Sequence, residues 1–134
     1  MKTTVVEVTT GGSASVFDLT PLAAEFVRGS GDGLLSVFVP HATAGLAVFE
    51  TGAGSDADLI EHLDLLFPRD DRWRHRHGSP GHGADHVVPA VVAPSITVPV
   101  LDGALALGTW QSIVLVDPNH DNHRRKVRFS FLAG

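Results

Sequence analysis

Eight histidines, set against ten lysines and arginines together, dominate the chemistry available to this chain of 134 residues. Four of them, His75, His77, His82 and His86, fall within the stretch RHRHGSPGHGADH. Neutral imidazole is a common metal ligand and the usual acid–base group near neutral pH. The spacing of these four does not follow a standard zinc pattern such as HExxH. His77 and His82 therefore read as solvated loop residues, and His62, His120 and His123 as surface residues. His41 differs because it directly follows an apolar strand, where a rigid backbone positions a side chain well. Two readings stand for it: a site residue, or an imidazole satisfied by a backbone carbonyl. Glu50 closes the next apolar run. It either faces solvent or serves as the acidic partner of an imidazole or a metal.

A second informative stretch is LGTWQSIVLVD. Trp110 and Gln111 open an apolar strand that Asp117 closes. A tryptophan there is either core or the wall of a ligand pocket, and Trp110 is expected to be largely buried beside His41. Arg124 and Arg125, in HRRKVR, have the guanidinium chemistry to clamp phosphate or carboxylate. On their own terms they fit a charged strand edge better.

Composition narrows the function classes. A formal net charge of −5 argues against binding a phosphate backbone. No apolar run approaches the roughly 18 residues that a membrane helix needs. With no cysteine, disulfides and thiolate metal sites are excluded. The N-terminus, MKTTVVEVTT, lacks the apolar core of a signal peptide. A soluble, cytoplasmic protein is expected.

These residues must be positioned by one domain spanning residues 1–134, a length sufficient to bury a core. Residues 3–8, SVFDLT, 34–39 and 45–50 read as strands from β-branched or continuous apolar content. TPLAAEFVRG reads as a short helix with Thr20 as N-cap, Pro21 at the first helical position and Gly29 as a stop. Residues 55–67 switch to helical spacing, with Ser55 and Asp58 as a capping box and Pro68 as terminator. Residues 68–83 form a long polar, glycine-rich loop, with residues 71–83 expected to be the most mobile part of the chain. ADHVVPAVVA reads as a short helix weakened by Pro89. ITVPV, ALALG, WQSIVLV and KVRFSFL read as strands, with Asp102-Gly103 as a hairpin turn. The class is α+β, with many strands and two or three helices.

Taken together, the chain resembles the YjbQ family, whose members are also described as secondary thiamine-phosphate synthases. HATAGLAVFE is similar to the family's histidine–threonine segment ending in glutamate. LGTWQSIVLVD is similar to its Leu-Gly-Thr-Trp-Gln segment. The stretch from RHRHG to ITVPV, and RRKV, resemble its histidine loop and terminal arginine cluster. The order and spacing agree from about Val16 to the end, with departures at Gly78, Val88, Pro89 and Ala90. The resemblance implies a compact α+β fold with a barrel-like sheet and assembly into homotrimers. It implies a site built from His41, Glu50 and His86 as catalytic groups, with Thr43, Trp110, Gln111, Arg124 and Arg125 binding an anionic, phosphorylated small molecule. It also marks His41, His75 and His86 as a set that should converge on a divalent metal, zinc or magnesium. Three functions follow as expectations: a transferase related to thiamine-phosphate synthesis, a zinc-type hydrolase, or a non-catalytic metal or ligand binder.

Overall fold

The computed structural model describes all residues, 1–134. Ten regular elements follow in order: β1 (Lys2–Thr9), β2 (Ser15–Asp18), α1 (Thr20–Val27), β3 (Gly33–Phe38), β4 (Gly45–Phe49), α2 (Ser55–Leu66), β5 (Ser95–Leu101), β6 (Ala104–Leu105), β7 (Ser112–Asp117) and β8 (Arg124–Ala133). Between α2 and β5 the chain makes two 3₁₀ turns, His82–His86 and Val88–Ala90. One sheet has the order β1-β8-β3-β5-β6 and the other β2-β7-β4, and every pairing is antiparallel. This is the expected single α+β unit, its curved sheets forming a half-barrel.

The alternation of each strand explains which face is inside. Leu35 and Val37 of β3, Val98 and Val100 of β5, and Val127, Phe129 and Phe131 of β8 point into one core. Ile113 and Leu115 of β7 and Ala23 and Val27 of α1 complete it. β7 also buries its other face, because Val114 and Val116 pack with Leu63 of α2 and with Val88. A strand covered on both faces needs a continuous apolar run, and IVLV supplies one. The same packing presses the 3₁₀ segment against β7 and so places the histidine-bearing loop beside the β7–β8 turn.

Several boundaries differ from expectation for local reasons. Leu19 is the N-cap of α1, with Thr20 already helical. The Thr20 hydroxyl is used across the fold instead, accepting a hydrogen bond from the Ile113 backbone N–H at 2.9 Å. In α2 the N-cap is Gly54 at φ +98°, with Ser55 inside the helix and no side-chain cap, so the expected capping box does not form. ADHVVPAVVA supports only the two 3₁₀ turns. Trp110 and Gln111 lie in a turn before β7 rather than in the strand. Asp102 (φ +50°) and Gly103 (φ +71°) do form the tight hairpin turn between β5 and β6.

Candidate metal centre

The imidazoles of His75, His82 and His86 converge, each offering a ring nitrogen within 4.8 Å of the others. His82 Nε2 and His86 Nε2 are 2.8 Å apart. Three nitrogens tetrahedrally placed about 2.1 Å from zinc would lie roughly 3.4 Å from one another, so small rotations suffice to seat an ion. His75 Nε2 is buried and has no hydrogen-bond partner. An unpartnered buried polar atom is unfavourable, and a bound cation would give it a partner. The donor set therefore fits a divalent, zinc-type metal.

The surroundings favour the neutral, ligating form of the rings. Burial lowers the pKa of His75, helped by the neighbouring His77 and His82. Burial also lowers that of His86, with His75 and His82 adding to the effect. His82 has a fixed tautomer: its Nδ1 lies 2.6 Å from Asp121 Oδ2, and its side chain is only 11% accessible. Nδ1–H donates to that carboxylate, which leaves Nε2 as the free lone pair facing His86. A carboxylate behind a ligating imidazole is the usual arrangement for orienting it and raising its basicity. Burial would raise the pKa of Asp121, yet hydrogen bonds from the Ser79 hydroxyl and N–H and from His82 hold it below the ordinary value. Asn119 braces the other side. Its Oδ1 accepts from the N–H groups of Asp121 and Asn122, which fixes the amide so that Nδ2 donates to buried Asp85 at 2.9 Å. The 3.2 Å approach of Asn119 Nδ2 to His82 Nδ1 is then a contact between two donors and not a hydrogen bond. Asp85 is paired on its other oxygen with Arg69.

The loop that brings these groups together follows from its glycines. A Cβ on Gly83 would lie 2.4 Å from the His75 carbonyl oxygen and 2.6 Å from Trp73 Cβ. Gly81 (φ +77°) packs as closely on the Arg69 backbone, and Gly78 (φ +86°) against the His82 ring. The low apolar content of residues 71–83 is offset by polar anchors. Trp73 Nε1 donates to the Pro68 carbonyl at 2.8 Å, and Arg76 donates to the carbonyls of Trp73 and Asp71. Beside the histidines lies a cleft of about 480 Å³, lined among others by Arg69, Trp73, Arg76 and Ser79.

A separate buried network holds the residues expected to bind substrate. Arg125 is 1% exposed and makes a bidentate pair with Asp117, at 2.7 and 2.8 Å. It also donates to Thr43 Oγ1 at 2.9 Å, and Thr10 donates to Asp117 at 2.6 Å. His41 Nε2 accepts the Lys126 N–H at 2.9 Å. Burial lowers the His41 pKa, and the adjacent Arg125 charge lowers it further. His41 is thus bonded to a backbone amide, not to the backbone carbonyl that one of its two readings supposed.

The expected site is therefore only partly assembled within the chain. His75 and His86 converge, but the third member is His82, which sequence reasoning placed in solvent, and His41 stands outside the group. Arg125 and Thr43 are buried and bonded to each other, and Arg125 is also paired with Asp117. Trp110 is 73% exposed, which overturns the expectation that it is buried beside His41. Gln111 folds back to accept the Gly108 N–H at 2.8 Å. Glu50 and Arg124 are exposed. His82, Asp121, Asn119, Asp85 and Arg69 were missed. The signal that could have found His82 is its position four residues before His86, a separation that brings side chains to one face of a turn.

A family model described as UPF0047 protein YjbQ-like matches residues 4–134. The chain is 60% identical over 134 residues to the UPF0047 protein Rv2556c of Mycobacterium tuberculosis, covering 100% of both. It is 31% identical over 118 residues to a UPF0047 protein of Archaeoglobus fulgidus, covering 88% of this chain and 92% of that one. Among solved structures, the hypothetical protein APE1520 from Aeropyrum pernix K1 superposes with a TM-score of 0.90 at 31% identity, over 100% of both chains. The chain belongs to the YjbQ-like UPF0047 family.

Proposed function

We propose that this protein binds one divalent cation of the zinc type through His75, His82 and His86 and uses it to hydrolyse a small anionic substrate. The observation that carries this reading is the buried, unpartnered Nε2 of His75 in a group of three imidazoles. Held by these three imidazoles, such a cation would supply a water activated for attack near neutral pH. The chain's own residues supply the rest. Asp121 orients His82 and holds its proton at Nδ1. Asn119 and Asp85 brace the 3₁₀ turn that carries His82 and His86. Arg76 lines the cleft with part of its guanidinium uncommitted, which suits a carboxylate or phosphate oxygen.

The transferase reading has less support: of its expected phosphate-binding pair, Arg124 and Arg125, the second is buried in an ion pair, and Trp110, expected to cover an aromatic cation, is exposed and lines neither cleft. Homotrimer formation remains part of the reading. Leu34 and Leu132, paired across β3 and β8, are 47% and 58% exposed on the outer sheet face, which suits a face covered by another copy. Light scattering giving the mass of three chains would support that, and a monomer's mass would refute it.

The metal is tested by stripping the protein with chelator, adding zinc, and measuring bound metal by elemental analysis. About one zinc per chain is expected, falling to near zero in His82→Ala and in His86→Ala. Wild type with no tightly held zinc, or His82→Ala with unchanged zinc, would refute the reading.

A further inference from the structure

We infer that His77 is a displaceable fourth ligand, closing the centre at rest and yielding its place to an incoming anion. This rests on the three-imidazole reading above and assigns the regulation of the same site. The His77 ring lies against that of His75, with centroids 3.9 Å apart, and its centroid is 5.6 Å from that of His82 and 6.1 Å from that of His86. It stands outside the tighter trio, so it approaches the metal position from the solvent side.

The residues flanking His77 are tied to their surroundings. Before it, the Arg76 guanidinium donates to the Trp73 and Asp71 carbonyls at 3.1 and 3.0 Å. After it, Ser79 donates to Asp121 through its N–H and its hydroxyl, at 3.3 and 3.1 Å. Gly78 holds φ +86° with no room for a side chain, since a Cβ would meet His82 Cγ at 3.0 Å. His77 thus stands exposed beside the trio, its ring against that of His75. Rotation about its two side-chain bonds would swing a ring nitrogen toward the shared position.

What separates His77 from the other three is support. His82 is oriented by Asp121, and its turn is braced by Asn119 and Asp85. The His77 ring lies against that of His75, with no carboxylate paired to it as Asp121 is to His82. Ligands stripped of their supporting hydrogen bonds lose affinity, typically 10- to 100-fold. An unsupported fourth imidazole completes a tetrahedral shell weakly, and it is the ligand that leaves first. The result is a centre that retains its metal when idle and opens when a carboxylate, phosphate or similar oxygen anion reaches the adjoining cleft.

The experiment uses the full chain loaded with cobalt(II), whose visible spectrum reports its ligands, with azide as the competing anion. His77→Ala should still bind one cobalt per chain, with affinity lowered about ten-fold and an altered band pattern. Azide should bind the variant at least about ten-fold more tightly than wild type, because no ligand must be displaced. Circular dichroism should show the fold unchanged, since the residue is exposed. An unchanged cobalt spectrum and unchanged azide affinity in His77→Ala, with binding lost in His86→Ala, would overturn the role of His77 and leave the three-imidazole centre standing. Cobalt not bound by wild type, or bound equally by His86→Ala, would overturn the centre and this inference together.

Discussion

Arg125 points inward near the start of β8, its charge neutralised by Asp117 and its Nη2 also donating to Thr43. Removing one partner of a buried pair leaves the other charge desolvated, at a cost of about 3–5 kcal/mol. Arg125→Ala is expected to lower unfolding free energy by that amount, as measured by urea denaturation. A loss below about 0.5 kcal/mol, as at ordinary surface sites, would show that the residue is free for a ligand after all. His41 offers a pH test. Its pKa is lowered by burial and by Arg125, so the unfolded chain takes up the proton more readily. The stability it contributes is complete above the ordinary histidine value of 6.5 and is lost as pH falls through the lower folded value. His41→Gln, which can still accept from Lys126, should therefore show a smaller stability difference between pH 7.5 and pH 5.5 than wild type. An equal difference would contradict the neutral assignment. At this scale the sequence was only half legible. The family resemblance picked out His75 and His86, but the burial of Arg125 and the partnering of His82 by Asp121 depend on contacts between residues far apart in the chain.

Elements were more legible where one physical cause sufficed. Asp102-Gly103 formed its hairpin because two successive residues accept positive φ. β7 declared itself by its apolar run, because both of its faces are buried. The α2 cap was misread because Gly54, in the left-handed conformation, starts the helix without a side-chain bond. Residues 71–83 were read as mobile from their glycines and low apolar content. The structural role of the glycines is close approach: Gly83 has backbone 2.4 Å from the position of a Cβ. Gly83→Ala should cost about 1–3 kcal/mol, the usual range for overpacking, and should weaken zinc binding in parallel by displacing His75 from the 3₁₀ turn. A variant with wild-type stability and zinc affinity would show that the packing is looser than described.

On the scale of the whole molecule, the α+β class and the antiparallel curved sheets follow from strand alternation and from the two helices. The site does not, because it exists only where three stretches meet: the loop after α2, the 3₁₀ turn pressed onto β7, and the β7–β8 turn carrying Asn119 and Asp121. That meeting is enforced by Val88 packing with Val114 and Val116 and by the Asp85–Arg69 pair. The most direct test of the account is X-ray absorption of the zinc-loaded protein. It predicts a first shell of nitrogen at about 2.0–2.1 Å, with outer-shell scattering from at least three imidazoles, and no such bound-zinc signal from His82→Ala. A shell of oxygen alone, without imidazole scattering, would contradict it.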